Sequence, residues 1–276
     1  MFAALGALLD LTQTALLGFI LVFARVSGVM LLLPAFGERT IPARVRLGAA
    51  LAFALVVWPL LAPGLQAVDA TRPFLLMLVI EVSIGLLLGL AIRLMVLALQ
   101  LAGSIAAQST SLAQIAGAGI APEPMPAIGN VLMLAGVTPD PMPAIGNLLL
   151  LAGITLAVAS GLHVKAAVAM ARSYEILPMG LPVPAADVAI WGTARIAQAF
   201  ALGFSLAAPF VIAAFAYNLA LGAINRAMPA LMVAFIGAPA ITAGAMLLLM
   251  LATPVILHFW SQRLDLLLAD PLALPR

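Results

Sequence analysis

The chain has 276 residues, of which 65% are hydrophobic and only 8% are charged, with a formal net charge of +2. A water-soluble fold of this length needs far more polar surface, so the solvent is a bilayer. The small net charge excludes an electrostatic nucleic-acid binder, and the absence of cysteine excludes disulfides, thiol catalysis and thiolate metal sites.

Crossing about 30 Å of hydrocarbon as a helix takes roughly 20 mainly apolar residues. Six stretches qualify, at about 14–36, 47–67, 74–100, 144–163, 190–222 and 230–260. Runs such as Met30-Leu31-Leu32-Leu33 lack the alternation of barrel strands, and lipid leaves only helices or closed barrels as spanning structures. The expected fold is all-α: a polytopic helical membrane protein of about six apolar helices, forming a single membrane-embedded domain over residues 1–276. Little chain remains for a soluble catalytic domain. The apolar start lacks a basic n-region and a small-residue cleavage site, so the first span is expected to stay in the mature chain.

Arg25 lies inside the first span, and a charge near the bilayer centre costs about 2.5–3.5 kcal/mol. Residues 34–46 then form a compact polar turn carrying Glu38, Arg39, Pro42 and Arg44. Pro34 suits the end of one helix and Pro42 the first turn of the next. The third span holds Glu81 and Arg93, about 120° apart around a helix, so they do not pair directly. Arg25 can pair with Glu81 across helices; alternatively, Arg25 and Arg93 snorkel or meet a neighbouring subunit. Gly85 and Gly89 in the same span make a close-approach motif for helix packing.

Residues 103–121 are small, polar and glycine-rich, with Gly103, Gln108, Ser109, Thr110, Ser111, Gln114, Gly117 and Gly119. Gln and exposed backbone are costly against lipid, so the segment is expected to be a polar loop, either an ordinary connection or one that lines or closes an aqueous path. A tandem 17-residue duplication within 121–155 follows: residues 139–155 repeat 122–138 with changes only at 140, 148, 150 and 154. The apolar part of the first copy is too short to cross a bilayer, so it is expected to lengthen the loop or add a re-entrant half-helix, while the second copy completes a span.

Residues 172–189 read as a polar connection kept non-helical by Pro178, Pro182 and Pro184. The fifth span ends with Asn218, Gly222 and Asn225 at i, i+4 and i+7, one face of a helix, followed by Arg226. Such a face suits close helix contact cemented by hydrogen bonds, within or between subunits. Pro209, Pro229, Pro239 and Pro254 are expected to kink or break the later helices. Residues 261–276 are a tail too short to fold alone. No His-Glu-x-x-His pair, nucleophile elbow or phosphate-cradling loop is present, and His163 and His258 are far apart, so no enzyme activity, metal or cofactor is expected.

Two stretches carry a resemblance. Arg25-Val26-Ser27-Gly28 through Pro34, with Phe36-Gly37-Glu38-Arg39-Thr40-Ile41-Pro42-Ala43-Arg44-Val45-Arg46, is one. Asn218-Leu219-Ala220-Leu221-Gly222 to Asn225-Arg226, with Met228-Pro229 and Phe235-Ile236-Gly237-Ala238-Pro239, is the other. Together with the polar segment after Ala102-Gly103, they resemble the FliR family, the export-gate subunits of flagellar type III secretion. Ala230 stands where that family often has glutamine, Ser111 where glycine is usual, and the duplicated segment has no single-copy counterpart. The resemblance implies a gate in the bacterial inner membrane, at the flagellar basal body, built with FliP-type and FliQ-type subunits and with an FlhB-type subunit nearby. It implies unfolded flagellar proteins as cargo and a channel plug at about 103–121. The homologous virulence-secretion subunit is the alternative, with Asn225-Arg226 favouring the flagellar branch; a small-molecule transporter is a third reading.

Overall fold

The structure is a computed structural model describing residues 2–37, 41–61, 72–118, 144–227 and 233–274. Seven helices occur among these residues, with no strand: α1 (Phe2–Leu32), α2 (Ala43–Leu61), α3 (Phe74–Ala118), α4 (Ala144–Ala159), α5 (Leu162–Ile176), α6 (Ala185–Ala227) and α7 (Val233–Ala269). Five helical stretches are long and apolar enough to cross a membrane, and α4 with α5 make a sixth if counted as one bent span. The all-α polytopic architecture is therefore as the apolar blocks dictate.

Four local expectations change. The fourth span is not straight: α4 ends at Ala159, and the axis turns by 72° into α5. Gly161 takes a left-handed conformation (φ 84), which only glycine adopts at little cost, and Ser160 Oγ donates to Ala157 O at 2.9 Å to close the preceding turn. The polar loop expected from residue 103 is instead a continuation of α3 through Ala118. Alanines at 102, 106, 107, 113 and 116 favour helix, and the Ser109 hydroxyl donates to Ala106 O at 2.8 Å, so it is satisfied within its own turn. The polar connection 172–189 shrinks to residues 177–184, which hold all three of its prolines. Of the kinks or breaks expected at the later prolines, no break occurs at Pro209, Pro239 or Pro254, where the helices run on because a helix among apolar neighbours tolerates the loss of one backbone bond; Pro229 lies outside the described residues. The duplicated first copy lies outside them as well.

The chain divides into two compact units: residues 1–96, 154–199 and 261–276 in the first, and 97–153 and 200–260 in the second. In the first, α2 lies against α1 and α5. Edge-to-face pairs Phe19–Trp58 and Phe36–Phe53, each with centroids 5.9 Å apart, fix α2 to the α1 side. Leu21, Val26, Val29, Ile84, Met95 and Met170 are fully buried there. In the second unit, Trp260, Phe210, Leu99 and Leu149 form the buried centre. Large apolar side chains such as Leu55 and Leu60 on α2 and Met246 and Met250 on α7 are exposed, as a lipid-facing surface requires.

Candidate functional site

The most polar spot in the first unit is built on Arg25, which α1 carries at 0% exposure. Its Nε donates to Glu81 Oε2 at 2.7 Å and its Nη2 to Glu81 Oε1 at 3.2 Å, a bidentate pair between α1 and α3. Nη1 donates to Ser173 Oγ at 3.0 Å, and Nη2 also reaches the Leu177 carbonyl at 3.0 Å. The guanidinium carbon lies 3.6 Å from the Tyr174 ring centroid. Four hydrogen bonds and an aromatic face thus replace the water this cation would otherwise need. Of the two readings open for Arg25, the cross-helix pair with Glu81 is the one observed.

Glu81 does a second task. Its Oε1 accepts the Gly180 N–H at 2.9 Å, while Arg72 Nη1 donates to the Gly180 carbonyl at 3.1 Å. Gly180 has φ 74, so the turn after α5 presents both peptide groups inward to charged side chains. The pair therefore ties α1, α3 and the 177–180 turn together. Arg195 in α6, 3% exposed, grips the C-terminal turn in a similar way, donating to the Pro271 and Ala273 carbonyls. Lys165 and Asp265 make a surface pair at 2.7 Å.

Glycine seams allow these approaches. A Cβ on Gly85 would strike the Arg25 carbonyl and stand 3.1 Å from Gly28 Cα; one on Gly89 would meet Val29 O at 2.9 Å. The Gly85–Gly89 motif is thus the place where α1 packs on α3. In the second unit, a Cβ on Gly103 would strike Gly146 Cα, and one on Gly203 would stand 2.7 Å from a Leu101 methyl.

The other expected positions separate into those with neighbours and those without. Gln108 is exposed and Ser109 half-buried on α3; Thr110, Ser111, Gln114 and Gly117 belong to the same helix, and Gly119 lies outside the described residues. Arg93 is half-buried further along α3. Pro42 caps α2, its carbonyl accepting from Val45 N at 3.0 Å, and Arg44 is exposed; Glu38 and Arg39 lie outside the described residues. At the end of α6, Gly222, Asn225 and Arg226 are exposed. Among the described residues nothing lies within 4 Å of a Gly222 Cβ, and the buried Asn218 Oδ1 has no partner. The amide face is therefore not a seam within this chain's described residues.

Sequence reasoning missed Gly146, Ser173, Tyr174, Gly180 and Arg195. Gly28 was legible as part of the Arg25-Val26-Ser27-Gly28 stretch, three residues from Arg25, but its packing role against Gly85 was not. The 173–180 group carried no such signal, since its role depends on a side chain from α1.

Fold and site together define a class: a polytopic helical membrane protein whose buried charges bind its own turns and helices. Within that class, the family model described as bacterial export proteins, family 1, matches residues 16–267. The chain belongs to this family, the FliR family. It is 34% identical over 245 residues to the flagellar biosynthetic protein FliR of Caulobacter vibrioides, covering 88% of this chain and 91% of that protein. It is 26% identical over 247 residues to the FliR protein of Bacillus subtilis, covering 86% of each chain. It is 29% identical over 251 residues to that of Pectobacterium carotovorum, covering 89% of each.

Proposed function

We propose that the chain is a non-catalytic structural component of the flagellar type III protein export gate in the bacterial inner membrane. With FliP-type and FliQ-type subunits it walls a channel for unfolded flagellar proteins, and an FlhB-type subunit docks nearby. The observation that carries this reading is the family match over residues 16–267, which includes both resembling motifs. The geometry supports it in two ways. Buried charges are consumed in holding turns and helices, which suits a scaffold, not a reaction centre. On the Asn218–Gly222–Asn225 face Gly222 and Asn225 are exposed, and the Asn218 amide oxygen, already out of water and without a partner among the described residues, gains most from a donor on a partner helix. In this reading the polar end of α3, from Gly103 to Gly117, with Gly119 beyond it, lines or plugs the channel.

Co-expression with the FliP-type and FliQ-type subunits, followed by native mass measurement, tests the proposal. A complex retaining this chain is expected; a free monomer as the sole species would overturn it.

A further inference from the structure

Two buried arginines of the first unit use the same edge differently. Arg25 gives Nε and Nη2 to the two oxygens of Glu81, the side-on fork that matches a carboxylate or a phosphate. Arg195, 3% exposed on α6, gives that edge to no acid among the described residues. Its Nη2 donates to the Pro271 carbonyl at 3.1 Å and to the Ala273 carbonyl, its Nη1 donates to Gln198 Oε1 at 3.0 Å, and its Nε has no acceptor there. Trp191, one turn earlier and 7% exposed, also leaves its indole N–H without an acceptor, and the Arg195 guanidinium carbon lies 5.7 Å from its ring centroid. Asp270, the acid of the same C-terminal turn, is exposed and accepts the Ala273 N–H at 3.1 Å.

A buried cation met by neutral oxygens, beside two buried donors without acceptors, has its strongest attraction to an oxyanion. We propose that the Nε–Nη2 edge of Arg195 and the Trp191 N–H form a seat for the phosphate of a phospholipid headgroup, for which the Pro271 and Ala273 carbonyls compete. Charge-assisted bonds are roughly twice as strong as neutral ones, so a phosphate wins the edge from the turn. Both orphan nitrogens are out of water, and the headgroup reaches them as the turn lifts. Lifting loses little burial at its far end, because Ala273 and Leu274 are exposed. Arg172, which donates to the Ala269 carbonyl at 3.1 Å, adds a second positive charge beside the turn.

The surroundings suit a lipid more than a free phosphate. α6 is long and apolar enough to cross a membrane, and Trp191 and Arg195 stand about 9 and 15 Å from its first residue at 1.5 Å per residue. Tryptophan and arginine near the end of a span anchor it at headgroup level. Ile190 and Ile196 on α6, and Leu274 next to Ala273, are exposed apolar side chains that acyl chains can cover. A free phosphate gains nothing from them.

Thermal unfolding of the full-length chain in dodecyl maltoside micelles, titrated with dihexanoyl phosphatidylglycerol or with inorganic phosphate, tests the seat. The lipid should raise the midpoint at concentrations where inorganic phosphate does not. Trp191→Phe keeps the ring and removes the N–H, and should weaken the apparent lipid affinity about tenfold. Arg195→Gln should weaken it by about a hundredfold or more, and Arg44→Gln, which removes an exposed charge from α2, by less than about twofold. Trp191→Phe carries the test by itself if Arg195→Gln does not fold. The proposal is overturned if the lipid leaves the midpoint unchanged, or if Trp191→Phe follows the unaltered titration curve. An equal response to inorganic phosphate overturns the headgroup as the source.

Discussion

Arg25 and Glu81 raise the question of what a buried ion pair is for. Desolvating both groups costs about as much as their attraction returns, so the pair is a weak argument for stability by itself. Its partners change that balance, because the buried Gly180 N–H would otherwise lack an acceptor and the half-buried Leu177 carbonyl would lose a charged donor. Glu81→Gln leaves the buried arginine charge without its counter-ion, with only the Ser173 hydroxyl, the Leu177 carbonyl and the Tyr174 ring beside it. It should destabilise the chain by about 3–5 kcal/mol, read as a fall in unfolding midpoint in micelles. The double variant Arg25→Met with Glu81→Leu should lose less than either single removal, since no charge is then stranded. A double variant worse than both singles would show that the turn, and not the charge balance, dominates.

At the scale of helices, two glycines make a controlled contrast. Gly85 has the Arg25 carbonyl where its Cβ would be, whereas Gly222 has open space. Gly85→Ala should force α1 from α3 at a cost of about 1–3 kcal/mol, and Gly222→Ala should change the stability of the isolated chain by less than about 0.5 kcal/mol. Thermal unfolding of the two purified variants side by side checks this. Much of the helical layout was legible beforehand, because lipid forces apolar blocks of roughly 20 residues into helices. Gly85–Gly89 was legible for the same reason, as small residues four apart in an apolar helix have few other uses. The break at Ser160-Gly161 was not, since it lies in a run apolar enough to continue and is decided by one left-handed residue. The polar end of α3 misled in the opposite sense: glycine and serine suggested a loop, while the intervening alanines and local hydroxyl bonds kept it helical.

For the molecule as a whole, the proposed assembly role of the Asn218–Gly222–Asn225 face predicts that folding and assembly respond differently to its replacement. Replacing Asn218, Gly222 and Asn225 together by leucine should leave the isolated chain as stable as before, since Gly222 and Asn225 are exposed and Asn218 Oδ1 is unpartnered. It should nonetheless abolish co-purification with FliP-type and FliQ-type subunits and halt swimming on soft agar. The family motif made this face legible as residues, but not its direction: a stripe of amides can bind inward or outward, and only the packing of the rest decides.

The ties around Arg25 also impose an order in time. Its acid partner follows 56 residues later and its carbonyl partner 152 residues later. At the usual ribosomal pace of about 5–20 residues per second, the guanidinium waits roughly 8–30 s between its own emergence and that of its last acceptor. Until Glu81 emerges, after about 3–11 s at that pace, the nascent first segment carries a cation without its acid, and for the rest of the interval the guanidinium still lacks its carbonyl acceptor.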